Sequence, residues 1–263
     1  MRLTGNTILV TGGTSGIGRA LAETFHRRGN QVVIAGRRQD LIETITTANP
    51  GMHGLSLDLT DADALNAFAI RIRQQFPALN VLVNNAGISG HEDLTADAVD
   101  VSFARSIIQT NVTGVVHLTA ALLPALKRQP SATIMVTTSG LAFVPRANFP
   151  TYSASKAFLH SWVQSLRSQL RDTSVEVLEL VPPYVQTALS GPQQLTDPEA
   201  VHIAMRGGVG QSRELEPPSP LPFSRSSTTV SNISLQLAIK EVGKRIAIQV
   251  DWPYKECTAV KVF

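Results

Sequence analysis

A tyrosine and a lysine stand four residues apart in the segment Tyr152-Ser153-Ala154-Ser155-Lys156. If this segment lies near the start of a helix, both side chains share one face of that helix. A free tyrosine has a pKa near 10, so it needs help to exchange protons near neutrality. An ammonium about 4 Å away contributes roughly 4 kcal/mol at an effective dielectric near 20, or about three pKa units. The pair therefore predicts a phenol that donates and reclaims a proton.

The alternative is a surface tyrosine beside a solvated lysine, and the spacing taken alone favours it because many helices contain such a pair. A second polar group supports the catalytic interpretation. Ser139 ends a β-branched run thirteen residues before Tyr152, where its hydroxyl can hydrogen-bond a substrate carbonyl oxygen.

A glycine-rich run, Thr11-Gly12-Gly13-Thr14-Ser15-Gly16-Ile17-Gly18, directly follows the first predicted strand and opens a helix. Gly12 permits a tight turn, Gly16 lets a pyrophosphate approach backbone N–H groups, and Gly18 lets helix and strand pack closely. The helix N-terminus carries partial positive charge and free donors, which suit a phosphate. The alternative is a glycine-rich turn that binds nothing, but the order of strand, glycines and helix favours a dinucleotide site.

The second predicted strand ends at Ala35-Gly36-Arg37-Arg38. An acidic residue at this strand end would hydrogen-bond the ribose 2′-hydroxyl of NAD. Two guanidiniums stand there instead, and arginine binds phosphate oxygens through two parallel hydrogen bonds. The sequence therefore predicts NADP(H) in preference to NAD(H). For Arg38 the alternative is a solvated helix start, and Asp40 is close enough in sequence to pair with either arginine.

Two further strand ends carry polar residues. Asp58 follows the third predicted strand, where its carboxylate accepts either from an adenine amino group or from a helix that starts near Asp61. The sequence leaves both alternatives open. Asn84-Asn85-Ala86-Gly87 closes the fourth strand, and its amides and small residues leave room for a ribose and tie neighbouring strands together. When its residue types are considered alone, without comparison to a protein family, this segment is interpreted as a turn.

The elements that must position these residues alternate between short β-branched runs and stretches of helical period. Such alternation predicts an α/β fold, a doubly wound parallel sheet of the Rossmann type in three layers, α/β/α, with ligands at the carboxyl ends of its strands. We predict strands at Thr7–Thr11, Gln31–Ala35, His53–Leu57, Val81–Asn84, Thr133–Thr137 and Val175–Val181, and helices that begin near Gly16, Gln39, Asp61, Thr95 and Thr151.

Composition excludes several classes of protein. With 263 residues, 43% hydrophobic and 16% charged, the chain is not wholly disordered. A net charge of +3 without a long basic block argues against a nucleic-acid binder. One cysteine, Cys257, excludes an internal disulfide and is typical of a reducing compartment, so we expect a cytoplasmic protein. We expect no signal peptide, no metal site and no membrane span; Val112–Leu126 is interpreted as a core helix.

The last quarter of the chain has a different texture. The run Pro217-Pro218-Ser219-Pro220-Leu221-Pro222 is incompatible with a helix interior or a central strand. The pattern from Ile233 to Val250 indicates a helix followed by a strand, and Arg245–Val250 is a candidate for the last strand of the sheet. We therefore divide the chain into a Rossmann domain, residues 1–190, and an atypical C-terminal segment, residues 191–263.

The chain resembles the short-chain dehydrogenase/reductase family, abbreviated SDR, over about residues 3 to 190. The family's motifs occur in order and spacing as Gly12-x-x-x-Gly16-x-Gly18, Asn84-Asn85-Ala86-Gly87, Asn111, Ser139 and Tyr152-x-x-x-Lys156. The resemblance is closer to its DltE-like branch, through Leu3-Thr4-Gly5-Asn6-Thr7, Glu92-Asp93-Leu94, Ser139-Gly140-Leu141-Ala142-Phe143-Val144-Pro145, Val175-Glu176-Val177 and Pro182-Pro183. The family usually has Pro-Gly at that last pair, and the segment after Gln193 does not resemble the family's ending.

The resemblance implies a role for each matching residue. Tyr152 is the implied acid–base, Lys156 lowers its pKa and holds the nicotinamide ribose, and Ser139 orients the substrate oxygen. Asn111 fixes a water that relays protons past Lys156. The implied cofactor contacts are Thr14, Ser15 and Ile17 at the phosphates, Asp58 and Leu59 at adenine, Asn85 at the adenine-side ribose, and Val185 and Thr187 at the nicotinamide carboxamide. The predicted cofactor site also includes Gly12, Gly16, Gly18, Arg37, Arg38, Ala86 and Gly87.

These observations predict an NADP(H)-dependent oxidoreductase that moves hydride between nicotinamide and a carbonyl or alcohol substrate. The alternative is a non-catalytic dinucleotide-binding or interaction protein, disabled by its divergent C-terminus. Leu141, Phe143 and Tyr184 would line the substrate pocket, which suggests an apolar or mixed substrate. By family resemblance we expect a homodimer or homotetramer built on the helices Asn111–Arg128 and Tyr152–Arg171. On the second helix, Phe158, Trp162 and Leu166 recur at helical spacing, which core burial explains equally well.

Overall fold

The computed structural model describes residues 1–182 and, as backbone alone, two strands in the C-terminal quarter. Strands and helices alternate along the first 180 residues, as the sequence predicts. The strands are β1 (Thr7–Thr11), β2 (Gln31–Gly36), β3 (His53–Ser56), β4 (Leu79–Asn84), β5 (Ala132–Thr137), β6 (Val175–Leu180), β7 (Ile233–Glu241) and β8 (Lys244–Trp252). The helices are α1 (Gly16–Arg27), α2 (Gln39–Ala48), α3 (Ala62–Gln75), α4 (Ser102–Ile108), α5 (Gly114–Leu126) and α6 (Pro150–Leu170).

The first six strands form one sheet in the order β3-β2-β1-β4-β5-β6. Every neighbouring pair is parallel, which confirms the predicted doubly wound sheet. The direction of strand order reverses between β1 and β4, so their carboxyl ends diverge and leave a crevice. The glycine-rich run follows β1 and the Asn84–Gly87 segment follows β4, which places both at this crevice.

Side chains alternate across the sheet and build a core on each face. On β1, Leu9 packs with residues from α3, α5 and α6, including Leu118 and Val163. Its neighbours Ile8 and Val10 pack on the opposite face, against α1 and α2. Near-continuous burial of β1, β4 and β5 explains why these strands are apolar runs without polar alternation. The three-layer α/β/α architecture is thus confirmed.

Two helices differ from the sequence prediction at their starts. The expected helix near Thr95 is wrong: the Asp93 carboxylate accepts from the Thr95 N–H and hydroxyl in a local turn, and α4 begins only at Ser102. Near Asp61 the prediction holds, because the Asp61 side chain accepts from the backbone N–H groups of Asp63 and Ala64 and caps α3.

The helical stretch Ser102–Leu126 is continuous, and its middle turn, Gln109–Thr113, is π-helical. By length and composition it is apolar enough to cross a membrane, with a mean hydropathy of 1.3, and half of its apolar window is buried inside the protein. It packs on the sheet through Leu118, Leu122 and Leu126, each fully buried. A core helix, as interpreted from Val112–Leu126, accounts for these contacts.

The strands β7 and β8 form an antiparallel hairpin of their own, in which Leu237 pairs with Ile248. The predicted helix after Ile233 is therefore wrong, since Ile233, Leu235, Leu237 and Ile239 alternate with other residues at the period of a strand. The predicted strand Arg245–Val250 lies within β8, but it pairs with β7 and not with the six-stranded sheet. The proposed domain boundary at residue 190 and the proline run lie outside the described residues.

Candidate active site

The glycine-rich run forms a cradle at the carboxyl end of β1. Gly12 has a φ of 65°, and a Cβ on it would lie 2.9 Å from the Ala86 Cα. A Cβ on Gly18 would clash with the Gly12 carbonyl oxygen and the Asn85 side-chain amide. Ser15 precedes α1 without making a side-chain cap hydrogen bond, so the first-turn N–H groups of α1 stay available to an anion. These features fit a bound pyrophosphate.

Gly18→Ala is expected to lower the free energy of unfolding by about 1–3 kcal/mol, because the added methyl overpacks the junction of α1 and the glycine turn. Dinucleotide affinity should fall with it, since the turn must shift. Urea unfolding and NADPH titration measure both effects. Gly29→Ala is the control: its Cβ would meet nothing within 4 Å, although its φ of 79° adds backbone strain. Unchanged NADPH affinity in Gly18→Ala would contradict this expectation.

The crevice beyond the cradle is a cavity of about 420 Å³. Many of the predicted cofactor residues line it, from the segments that follow the four strands β1 to β4. They are Gly12, Thr14, Ser15, Arg37, Arg38, Asp58, Leu59, Ala86 and Gly87. Four predicted cofactor residues do not line the cavity: Gly16, Ile17, Gly18 and Asn85. Ile17 packs against the core on the α1 side of the sheet, and Gly18 and Asn85 lie against the backbone of Gly12. Val185 and Thr187 lie outside the described residues.

Sequence reasoning missed part of the cavity wall, namely Thr11, Ala35, Gly36, Leu57, Ile88 and Thr110. Thr11 carries the clearest function among them. Its hydroxyl accepts from the backbone N–H groups of Asn85 and Ala86 at 3.0 and 3.1 Å, which fixes the segment that follows β4. The available signal in the sequence is that Thr11 places a hydroxyl at the end of β1, although Thr11 is also the first residue of the glycine-rich run.

Asn85 links three strands, as the amide-rich segment predicts. Its Nδ2 donates to the Thr11 carbonyl at 3.3 Å, and its Oδ1 accepts from the Thr137 hydroxyl at the same distance. The expected tie between neighbouring strands is therefore confirmed, and it crosses the crevice from β1 through β4 to β5.

Arg37 and Asp58 set the charge at the outer end of the cavity. The Asp58 carboxylate accepts from the Thr60 N–H and hydroxyl at 2.9 and 2.7 Å. These bonds lower the pKa of Asp58, and the nearby Arg37 guanidinium lowers it further. Asp61 is the cap of α3, so the helix-cap alternative for Asp58 is wrong. Within residues 1–182, Asp40 forms no ion pair with either arginine.

Tyr152 lies in the first turn of α6 and is 9% exposed. Burial raises the pKa of its phenol, and a hydrogen bond with Ser139 lowers it. The pKa of Tyr152 is raised on balance, against the expected lowering by Lys156, because burial outweighs the Ser139 hydrogen bond. The Lys156 Nζ lies 5.7 Å from the centroid of the Tyr152 ring. Ser139 is brought to Tyr152 by a short 3₁₀ turn, Gly140–Ala142, which follows β5.

Lys156 is 4% exposed, and its ammonium donates to the Thr137 carbonyl at 2.8 Å. Burial lowers the pKa of this ammonium to about 8. A Cβ on Gly87 would lie 3.6 Å from the Lys156 Nζ, so the catalytic group adjoins the nucleotide cavity. The sequence does not indicate this contact, because Thr137 binds the ammonium through its backbone oxygen and not through its side chain.

Asn111 is fully buried in the π-helical turn. Its Oδ1 accepts from the Ile88 N–H at 2.8 Å, and its Nδ2 donates to the Ile88 carbonyl and to the Ser155 hydroxyl. The side chain thus joins the loop after β4 to the helix of Tyr152. Its implied role of holding a water stays a prediction, since these contacts show a structural tie between the two segments.

The predicted substrate wall is partly described. Phe143 is 42% exposed, Leu141 is half-buried in the 3₁₀ turn, and Tyr184 lies outside the described residues. On the helix expected to form an oligomer interface, Leu166 is buried, Trp162 packs against the core and Phe158 is 46% exposed. Only Phe158 among these three is free for an interface.

The chain is similar to known proteins across this region. The sequence pattern of the family described as short chain dehydrogenase matches residues 6–197. The uncharacterized oxidoreductase DltE of Bacillus subtilis (strain 168) is 43% identical over 190 residues, 72% of this chain and 75% of that protein. Serine 3-dehydrogenase of Agrobacterium fabrum is 34% identical over 184 residues, 69% of this chain and 72% of that protein. The crystal structure of a 3-ketoacyl-(acyl-carrier-protein) reductase from Brucella melitensis, complexed with NADH, matches with a TM-score of 0.67 at 28% identity, covering 72% of this chain and 79% of that one.

Proposed function

The chain belongs to the short-chain dehydrogenase family, and from that premise we propose that it uses NADP(H) to interconvert a carbonyl compound and an alcohol, with Tyr152 as the acid–base. Membership makes the protein a nicotinamide-dinucleotide-dependent oxidoreductase. The NADP(H) preference is the finer proposal. The observation that carries it is the pair Arg37 and Arg38, which line the cavity at the end of β2, where the sequence has no acidic residue.

The protein's own groups are arranged for proton transfer to an oxygen. A bound nicotinamide supplies or accepts the hydride at the substrate carbon. In reduction, the Tyr152 hydroxyl gives its proton to the substrate oxygen, and Ser139 hydrogen-bonds the same oxygen. The Lys156 ammonium, held by the Thr137 carbonyl, stabilises the phenolate that remains. The non-catalytic alternative would have no use for this arrangement.

The substrate class follows from the groups next to Ser139. Leu141 and the exposed ring of Phe143 present apolar surface there. We propose an aldehyde or ketone, or the corresponding alcohol, with an apolar or mixed body. The names of the Brucella 3-ketoacyl-(acyl-carrier-protein) reductase and the Agrobacterium serine 3-dehydrogenase describe the substrates of those two proteins, and neither substrate is proposed for this chain.

We also propose a homodimer or homotetramer in the cytoplasm. The exposed Phe158 on α6 supports self-association, and the single cysteine supports a reducing compartment. Neither proposal affects the chemistry of the site.

Titration with NADPH and NADH, followed by nicotinamide fluorescence, tests the cofactor proposal. We expect saturable binding with NADPH preferred, and Arg37→Ala should weaken NADPH binding roughly tenfold while leaving NADH unchanged, since about 1.5–3 kcal/mol attaches to a hydrogen bond with a charged group. Arg71→Ala is the control, because Arg71 is an exposed arginine of α3 whose guanidinium donates to Gln75.

Equal binding of both nucleotides would contradict the preference. Failure of the folded protein to bind either one would contradict the oxidoreductase itself and support the interaction-protein alternative.

A further inference from the structure

The helix that carries Tyr152 begins without a cap of its own. Phe149 occupies the N-cap position and offers no side-chain acceptor, and Pro150 at the first helical position has no N–H. The first N–H of α6 that needs a partner is therefore that of Thr151, the residue directly before Tyr152.

A carboxylate from a distant part of the chain supplies that partner. The Glu92 Oε2 accepts from the Thr151 N–H at 3.0 Å, and its Oε1 accepts from the Thr151 hydroxyl at 2.7 Å. Both residues are half-buried, and 59 positions separate them. A negative charge at a helix N-terminus also interacts favourably with the helix dipole.

Two more contacts hold the same segments together. The Glu92 N–H donates to the Asn148 carbonyl at 3.1 Å, and the His91 ring lies edge-on to Phe149 with centroids 6.4 Å apart. Glu92 belongs to the loop between β4 and α4, whose beginning, Ala86–Ile88, lines the nucleotide cavity. One loop thus reaches from the cavity to the start of the catalytic helix.

We propose that Glu92 is a positioning residue: it caps α6 from the β4–α4 loop and fixes the first turn of that helix, and with it Tyr152, relative to the nucleotide cavity. The inference rests on the proposed function for its catalytic consequence. Productive proton transfer depends on the placement of the donor, and small displacements of a catalytic group cost turnover rather than binding.

The chain contains a matched control one residue away. Asp93 accepts from the corresponding groups of Thr95, the N–H at 2.9 Å and the hydroxyl at 2.6 Å, but both at a single oxygen, Oδ1, within its own loop and at an exposed site. Glu92→Gln and Asp93→Asn each replace a carboxylate by an amide that keeps a single acceptor oxygen. Only the first of these changes removes a partner from the catalytic helix.

Hydrogen exchange of the whole chain tests the cap without requiring turnover. We expect amide exchange in residues 149–153 to rise about fivefold in Glu92→Gln, as loss of a helix cap does. Asp93→Asn should leave that segment unchanged. Thr151→Val, which keeps the N–H and removes the hydroxyl, should give a smaller rise that does not add to that of Glu92→Gln. Equal exchange in Glu92→Gln and Asp93→Asn overturns the proposal.

Steady-state kinetics test the positioning role, with NADPH and the aldehyde or ketone that the unmodified protein reduces fastest in a panel. Glu92→Gln should lower kcat roughly tenfold with the Kd for NADPH within about twofold of the unmodified protein, a split typical of misplaced chemistry. A kcat equal to that of Asp93→Asn overturns the positioning role. If the unmodified protein reduces nothing in the panel, the proposed function fails, and the exchange measurement still decides whether Glu92 caps the helix.

Discussion

Tyr152→Phe is expected to lower turnover at least about 1,000-fold while dinucleotide affinity stays close to that of the unmodified protein. The substitution removes the Tyr152 hydroxyl, the group that gives its proton to the substrate oxygen in the proposed reaction. The ring remains to fill its buried site in the first turn of α6, so the fold should be unaffected. Carbonyl reduction is followed by loss of NADPH absorbance, and binding by nicotinamide fluorescence.

Tyr254→Phe makes the same chemical change outside the described residues and serves as the control. Turnover by Tyr152→Phe within tenfold of the unmodified protein would show that another group donates the proton. Loss of NADPH binding in the variant would show instead that the hydroxyl is needed to bind the dinucleotide as well as to transfer the proton.

Lys156→Met should lower turnover by a factor of about 100 or more, since the buried ammonium next to the Tyr152 ring disappears. Its effect on stability should have a distinctive pH dependence. The ammonium has a pKa of about 8 in the folded protein against 10.5 ordinarily, because burial disfavours its charged form. Between these values the unfolded chain binds a proton that the folded chain does not, so the free energy of unfolding rises with pH in this window.

The measurement compares urea unfolding of both proteins from pH 7 to 9.5. Relative to Lys156→Met, the unmodified protein should gain about 1.5 kcal/mol between pH 8 and 9.5. Subtracting the variant cancels other titrating groups, including Tyr152, whose raised pKa places its own titration above this range. Lys127→Met, at an exposed helix end, is the control and should show no such difference. Parallel pH curves for the unmodified protein and Lys156→Met would mean that Lys156 is not desolvated.

Patterns of hydrophobicity were enough to predict the sheet, because β1, β4 and β5 are buried on both faces and each therefore contains three consecutive apolar residues, Ile8–Val10, Val81–Val83 and Ile134–Val136. The glycine cradle was equally accessible, since Gly12 and Gly18 stand where no side chain fits. The predicted helix near Thr95 was wrong because the side chains of Asp93 and Asp100 accept from nearby backbone N–H groups and form local turns. Helix propensity alone does not reveal whether such a turn or a helix forms. After Ile233 the apolar residues alternate with a period of two, which is typical of a strand and not of the predicted helix.

Contacts between distant segments could not be read from the sequence. Nothing in the sequence near Glu92 indicates that its partner is Thr151, and nothing near Lys156 indicates that its ammonium donates to a backbone oxygen of β5. The pKa of Tyr152 illustrates the same limit. The four-residue spacing to Lys156 predicted a lowered value, but the structure raises the pKa because Tyr152 is buried, and burial is not visible in the spacing.

The π-helical turn at Gln109–Thr113 has a consequence for how this chain tolerates changes in length. A π turn is a single wide turn that accommodates one extra residue within an α-helix, and such turns occur frequently at functional sites. Here the surplus aims Asn111 at Ile88 and Ser155. Deleting the extra residue would restore a regular helix whose two halves keep nearly the same phase, but the side chains of the turn would be redistributed, and Asn111 would no longer reach both Ile88 and Ser155. In this helix, an evolutionary deletion that makes the backbone more regular would disconnect the loop after β4 from the helix of Tyr152.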